Sequence, residues 1–321
     1  MHLYHLSRRW LGASISTITA LFAVLPASVS AQDLNVNPVR YHAPYTQFAA
    51  NLQPVQVSLA PTSPSLLQGL PAQLHSEIAY VQDLKTGRAI YQKNSTQVRP
   101  IASITKLMTA LVVLEANQDL NETLEITSAD IDRLKNTTSR LSVGSKLTRA
   151  QMLHLALMSS ENRAANALGR HYPGGIRAFV RAMNDKARAL GMRESRFVEP
   201  TGLSSENVSS PKDLVRLMQA TAQHPLIQEY STSEQLTVEP RPGRQLVFSN
   251  TNRLVQNSKW DIQVSKTGFI NEAGQCLVLL TKLEGRQVGI VLLNAQGRYS
   301  RIGDAIRLRN LVESSNKLAM L

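Results

Sequence analysis

Between Ile101 and Asn117 the chain reads IASITKLMTALVVLEAN. Wound as a helix, this stretch places Ile104, Leu107, Met108, Leu111, Val112, Val113 and Leu114 on every side and leaves no polar face. A helix of that kind belongs in the interior of a fold. Yet it carries Lys106, the only charged residue between Arg99 and Glu115, and Ser103 lies one turn before it. An ammonium group in a buried helix, beside a hydroxyl, needs a physical reason, because an unpaired buried charge is costly.

The ends of the 321-residue chain differ from its middle. Residues 1–31 hold two arginines, an uncharged apolar segment and then small residues, with Val29 and Ala31 in a small-x-small pattern. That is the layout of a removable secretory signal. The alternative is an anchor that stays in the membrane. Ser14, Ser16, Thr17 and Thr19 interrupt the apolar run and Pro26 follows it, which makes a poor permanent span. No other segment approaches the roughly 20 apolar residues that a span needs, so the mature chain is expected to have no stable membrane span. It is expected to be exported, to the periplasm. Residues 32–75 contain six prolines and only two charges, Asp33 and Arg40, and read as an extended tether. The folded domain is expected at 76–318.

Cys276 is the only cysteine, so no internal disulfide can form and stability must come from the core. The formal charge of +12 suits an anionic surface such as cell wall or phospholipid headgroups. No dense basic run with interleaved aromatics is present, which argues against nucleic acid.

Within the domain, EIAYVQDL and AIYQKN flank a turn at Lys85–Gly87 and form a hairpin ahead of the buried helix. A helical stretch follows: TRAQMLHLALMS and ENRAANALGRHY, separated at Ser159–Ser160, then GGIRAFVRAMNDKARALG, stopped by Gly191. SPKDLVRLMQATAQ starts with Ser210 as N-cap, Pro211 in the first helical position and Asp213 three residues after the cap. Beyond residue 235 the pattern is of strands, QLTVEP, RQLVFS, WDIQVSKTGF, QCLVLLTKLE and RQVGIVLLNA, and a helix over about 299–313 closes the chain. The expected fold is an α/β sandwich: one antiparallel sheet joining the first and last strands, a helical lobe beside it, and a cleft between them.

Ser-x-x-Lys puts two side chains on one helix face. A serine hydroxyl is a weak nucleophile that needs a base, and a lysine serves only if burial or a nearby cation lowers its pKa. The spacing also occurs at Ser209/Lys212 and Ser314/Lys317, which read as surface features. Taken alone, the first pair could equally be a snorkelling lysine with an incidental serine. Two further elements favour chemistry. Ser160-Glu161-Asn162 falls at the break between two helices, and Lys266-Thr267-Gly268 ends a strand. Both triplets recur, at Ser205-Glu206-Asn207 in a loop and at Lys85-Thr86-Gly87 in a turn. Only one combination supplies a helix-start nucleophile, a helical-lobe loop and a strand edge.

Ser-x-x-Lys, Ser-x-Asn and Lys-Thr-Gly in this order resemble the penicillin-binding proteins and serine β-lactamases, over about residues 76–315. Within that superfamily VRPIASITKLMTA, FVEPTGLSSENVSS and SKTGFINEAGQC resemble the low-molecular-weight D-alanyl-D-alanine peptidases, and most of all the exported D-alanyl-D-alanine endopeptidases. The resemblance implies a β-lactamase/transpeptidase-like fold and a penicillin-sensitive serine DD-endopeptidase acting on peptidoglycan cross-links. It implies Ser103 as nucleophile, Lys106 as base and Ser160 as proton relay. Asn162 would orient Lys106 and a substrate amide, and Lys266 and Thr267 would meet a substrate carboxylate. Gly268 would let substrate lie along the strand, and the amides of Ser103 and Phe269 would hold an oxyanion. The implied partners are peptidoglycan stem peptides, with β-lactam antibiotics as covalent inhibitors.

The related carboxypeptidases usually have histidine after Lys-Thr-Gly and Ser-Gly-Asn as the second element, where this chain has Phe269 and Ser-Glu-Asn. They often add a β-domain and an amphipathic anchor, and only about 50 residues follow Gly268 here. Carboxypeptidase activity, which differs only in the leaving group, remains the alternative. Glu199-Pro200 resembles the loop glutamate of a class A β-lactamase, but Thr201-Gly202-Leu203 follows, so EPTGL reads as a structural turn. A wall-binding protein without catalysis would have no use for a buried Lys106. His42, His75, His154, His171 and His224 lack metal-site spacing, and no metal or cofactor is expected. Cys276 reads as a buried thiol and Trp260 as core packing.

Overall fold

The computed structural model describes residues 73–319, with side chains to residue 314. The expected signal segment and nearly all of the expected tether lie outside the described residues. The chain opens with strands β1 (Ser76–Asp83), β2 (Ala89–Lys93) and β3 (Arg99–Pro100). A single 3-10 turn, Ala102–Ile104, leads into α1 (Thr105–Glu115). Two short strands, β4 (Thr123–Glu125) and β5 (Lys146–Thr148), precede α2 (Arg149–Met158), α3 (Asn162–Arg170) and α4 (Gly175–Ala189). Next come β6 (Val208–Ser209), α5 (Pro211–Thr221), α6 (Pro225–Thr232), β7 (Gln235–Arg241) and β8 (Arg244–Ser249). The last elements are β9 (Asp261–Ile270), β10 (Gly274–Leu283), β11 (Arg286–Ala295) and α7 (Ser300–Ala319).

The main sheet runs β2-β1-β11-β10-β9, antiparallel throughout. The opening hairpin therefore pairs with the closing strands, as the pattern of strands at both chain ends predicts. Both faces of the sheet are covered, which is why β10 and β11 read as unbroken apolar runs and not as alternation. Leu277, Leu279, Ile290 and Leu292 face α7 and pack with its Ala305, Leu308 and Val312. Val278, Leu280, Val291 and Leu293 face the helical lobe. There α1 packs against α2, α3, α4, α5 and α6, which accounts for its apolar surface on all sides.

Three features differ from the sequence expectation. QLTVEP and RQLVFS pair with each other as a separate β7–β8 hairpin and do not join the main sheet. The closing helix runs on to Ala319. Ser209 is fully buried, not a surface residue, and its hydroxyl meets that of Ser195 at 2.8 Å. The N-cap at Ser210 forms as the sequence predicts, accepting from the Asp213 amide. Among the described residues no helix is long and apolar enough to cross a membrane.

One buried carboxylate ties the two chain ends together. Asp304 of α7 is fully buried and accepts from the Ser76 amide at 2.7 Å, the Ser76 hydroxyl at 2.6 Å and the His75 amide at 3.2 Å. Arg307 balances its charge from one turn away. Removing the acceptor strands buried donors at the start of β1. Asp304→Ala is expected to lower the unfolding free energy by about 2–4 kcal/mol, read as a reduced urea midpoint with an unchanged slope.

Candidate active site

Ser103 stands on the 3-10 turn that opens α1, one turn before Lys106. Lys106 is fully buried, and its Nζ lies 3.0 Å from Ser103 Oγ, 2.7 Å from Asn162 Oδ1 and 2.6 Å from the Thr201 carbonyl oxygen. The Asn162 amide is oriented by its other end, where Nδ2 donates to Thr137 Oγ1 at 3.1 Å. Burial pulls the Lys106 pKa from 10.5 down to about 8, although the Glu199 and Glu161 carboxylates pull it back up.

The turn EPTGL does more than close a loop. The Glu199 carboxylate accepts from the amides of Thr201 at 2.6 Å, Gly202 at 2.7 Å and Ser204 at 3.3 Å, and from Asn207 Nδ2 at 3.0 Å. The same Asn207 amide group reaches Thr105 Oγ1 on α1, and the Thr109 hydroxyl donates to the Pro200 carbonyl. Pinned in this way, the turn aims the Thr201 carbonyl at Lys106. Gly202, at φ +83, fits only because it has no Cβ: one built there would lie 1.9 Å from the Ala102 carbonyl oxygen. Sequence reading missed the Thr201 carbonyl and the Asn207 contact. A backbone carbonyl carries no residue-type signal, and Asn207 lay in a triplet read as a loop.

Strand β9 forms the opposite wall. Lys266 is buried, and its Nζ meets Ser160 Oγ and the Thr267 carbonyl oxygen, each at 3.0 Å. Its pKa falls well below 10.5, first through burial and then through the charges of Lys106 and Arg301. Thr267 Oγ1 bonds Thr251 Oγ1 at 2.7 Å. Gly268 sits against the nucleophile's turn: a Cβ there would lie 2.9 Å from the Ile101 carbonyl oxygen and 3.0 Å from the Ser103 amide nitrogen. From α7, Arg301 donates to the Gly268 carbonyl at 2.8 Å. Phe269, the next residue, is 54 % exposed.

The structure thus brings all eight sequence-predicted residues to one seam between the helical lobe and β9. Ser103, Lys106 and Asn162 form one bonded group, and Ser160 with Lys266 forms a second. Ala102 at φ +48 and Ser160 at φ +63 hold left-handed backbone without being glycine, a strain that persists only where surrounding structure enforces it. Two other copies stay apart from the seam: Lys85-Thr86-Gly87 forms an exposed turn after β1, and Lys212 is exposed at the start of α5. Asn207 of the second Ser-Glu-Asn instead bonds Thr105 behind the nucleophile's helix. Among the described residues no group of three or more His, Cys, Asp or Glu could hold a metal ion. His154 stacks on Tyr230 at 4.3 Å, and burial lowers its pKa to about 4. Cys276 is buried with its thiol pushed up to about 11, and Trp260 packs under α7.

The chain is similar to known proteins in sequence and in fold. The model of peptidase family S11, D-alanyl-D-alanine carboxypeptidase, matches residues 65–297. A D-alanyl-D-alanine endopeptidase of Pseudomonas aeruginosa is 50% identical over 261 residues, which is 80% of this chain and 84% of that protein. The Streptomyces K15 DD-transpeptidase superposes with a TM-score of 0.69 at 27% identity, over 74% of this chain and 97% of the other. Penicillin-binding protein D2 from Listeria monocytogenes, in its cefotaxime-bound form, gives a TM-score of 0.63 at 29% identity over the same shares. The chain belongs to peptidase family S11, and it is a serine hydrolase with the penicillin-binding protein fold.

The close approach at Gly268 yields a direct test. Gly268→Ala would push the Ser103 turn away from β9 by a few tenths of an ångström or more. Acylation by a fluorescent penicillin is expected to slow roughly 100-fold, the scale set by small misplacements of reacting groups, while the far-ultraviolet circular dichroism stays unchanged.

Proposed function

We propose that this protein is an exported, penicillin-sensitive serine DD-endopeptidase that cuts D-alanyl cross-links in peptidoglycan. The observation that carries the catalytic reading is the set of partners around Lys106 Nζ. A neutral amine has two N–H donors and one lone pair. Thr201 and Asn162 offer two acceptors at 2.6 and 2.7 Å, and Ser103 offers a hydroxyl at 3.0 Å whose proton the lone pair can take. The same three oxygens hold the ammonium below about pH 8, and once the amine is neutral its lone pair is left for the Ser103 hydroxyl.

In the proposed reaction Ser103 Oγ attacks the D-alanyl carbonyl carbon while its proton passes to Lys106. The oxyanion is held by the backbone amides of Ser103 and Phe269. Collapse breaks the carbon–nitrogen bond, and the proton held by Lys106 reaches the leaving amine through the Ser160 hydroxyl. Water then attacks the resulting ester and gives a proton to Lys106. The ester bond breaks, the proton returns to Ser103, and a free acid is released. Lys266 and Thr267 hold the carboxylate next to the scissile amide. That carboxylate supplies Lys266 with a counter-charge, and a charged Lys266 further disfavours charge on Lys106. A β-lactam would trap the same serine as a slow ester.

The endopeptidase reading draws support from the named activity of the half-identical Pseudomonas relative. The family's description as carboxypeptidases supports the second reading, release of a terminal D-alanine. Residues 1–31 serve as the export signal, residues 32–75 as a tether and 76–318 as the peptidase domain. Leu74, at the end of that tether, is already packed beneath α7.

Two experiments test this. Purified protein from residue 32 onward is incubated with a cross-linked muropeptide dimer and with a monomeric pentapeptide, and products are read by mass. Dimer split to monomers, with pentapeptide intact and Ser103→Ala inactive, is the expected result. Loss of one D-alanine from pentapeptide with dimer intact establishes the carboxypeptidase instead. The pH profile of acylation tests the base. Lys106 acts neutral, so the rate should rise about tenfold per pH unit below a pKa of about 8 and level off above it. Lys106→Arg keeps the proton and should abolish acylation with the fold retained. Near-normal acylation in that variant would falsify the assignment.

A further inference from the structure

Next to the seam lies a cationic cluster that the proposed chemistry does not use. Tyr299 is 58% exposed, with the guanidinium of Arg253 5.8 Å and that of Arg298 5.6 Å from its ring centroid. Both arginines are exposed, and among the described residues neither has a carboxylate partner. Two like charges gathered at one ring repel each other, and the ring offsets only part of that repulsion. An anion between them would remove it.

The cluster is tied to the substrate strand from two directions. Arg253 follows two residues after Thr251, whose hydroxyl bonds Thr267 at 2.7 Å. Tyr299 precedes Arg301 by two residues, and Arg301 donates to the Gly268 carbonyl at 2.8 Å. The cluster thus lies within two residues along the chain of the groups that bond Thr267 and Gly268. On the endopeptidase reading, which this inference rests on, Lys266 and Thr267 hold the carboxylate beside the scissile amide. The leaving group continues past that point. A terminal D-alanine ends there, whereas the leaving strand of a cross-link goes on as an acidic peptide.

We propose that Arg253, Tyr299 and Arg298 form a subsite for the leaving strand of the cross-link, binding a carboxylate of that peptide between the two guanidiniums. The subsite favours cross-linked substrate over free pentapeptide, because only the former reaches it.

The test uses the double variant Arg253→Gln/Arg298→Gln, in which both exposed side chains keep their length and lose their charge. Three rates are compared with wild type at low and high salt: kcat/KM for cross-linked dimer, kcat/KM for pentapeptide, and acylation by a labelled penicillin. The dimer value is expected to fall roughly 5–10-fold at low salt, the scale of two solvent-exposed ion pairs. Its decline with added salt, present in wild type, should largely disappear. Pentapeptide turnover and penicillin acylation should not change. An unchanged dimer rate overturns the subsite, and so does an equal fall in all three rates, which would mark the arginines as supports of the fold. Wild-type protein that acylates with penicillin but leaves dimer intact sinks the endopeptidase reading and the subsite with it. Wild-type cleavage of dimer that the variant matches sinks the subsite alone.

Discussion

The burial of Lys106 is the constraint on which the rest of the site depends. Lowering its pKa from 10.5 to about 8 corresponds to roughly 3 kcal/mol against the protonated form in the fold. Below pH 8 folded and unfolded chains both hold this proton, so the penalty is fully present. Between about 8 and 10.5 the folded chain loses the proton while the unfolded chain keeps it, and the penalty lifts. This group therefore leaves the chain less stable at neutral pH than at alkaline pH. The gain is an amine that is available unprotonated next to a hydroxyl.

Keeping that amine buried without leaving it unsatisfied determines much of the neighbouring architecture. The Glu199 carboxylate gathers the amides of its own turn, and the turn presents the Thr201 carbonyl to Lys106. Glu199 also supplies charge that stops the lysine's pKa from falling further. Glycine is required at 202 and 268 because two backbones must approach the Ser103 turn more closely than a Cβ permits, and at 202 also because φ is +83. The left-handed backbone at Ala102 is the strained counterpart of those approaches. An edge strand remains beside the nucleophile, where an extended peptide can pair with it.

Much of this was legible in the sequence, for identifiable reasons. An all-round apolar helix implies helices around it, and α1 has five. Unbroken apolar strands imply a sheet covered on both faces, and β10 and β11 are covered by α7 and the lobe. Strand propensity could not say which strands pair. QLTVEP and RQLVFS look like sheet strands, but they alternate and carry charge, and they form a hairpin of their own. Ser209 looked exposed because its neighbours are polar. Its burial comes from the pairing of β6 with β3 and from the Ser195 hydroxyl, both distant in sequence.

The sequence by itself determined the chemical parts: a serine one turn before a lysine in an apolar helix, a Ser-x-Asn at a helix break and a Lys-Thr-Gly at a strand end. Residue type and local periodicity are local properties, so spacing alone reveals them. Position along the chain also selected which copies of those motifs belong together, and only the tertiary structure decided what surrounds Lys106. It also brought Arg253 to Tyr299, beside the neighbouring Arg298, from a segment that sequence spacing does not connect. Those outcomes depend on backbone carbonyls, close approaches at glycine and contacts between remote segments, which exist only once the chain has packed.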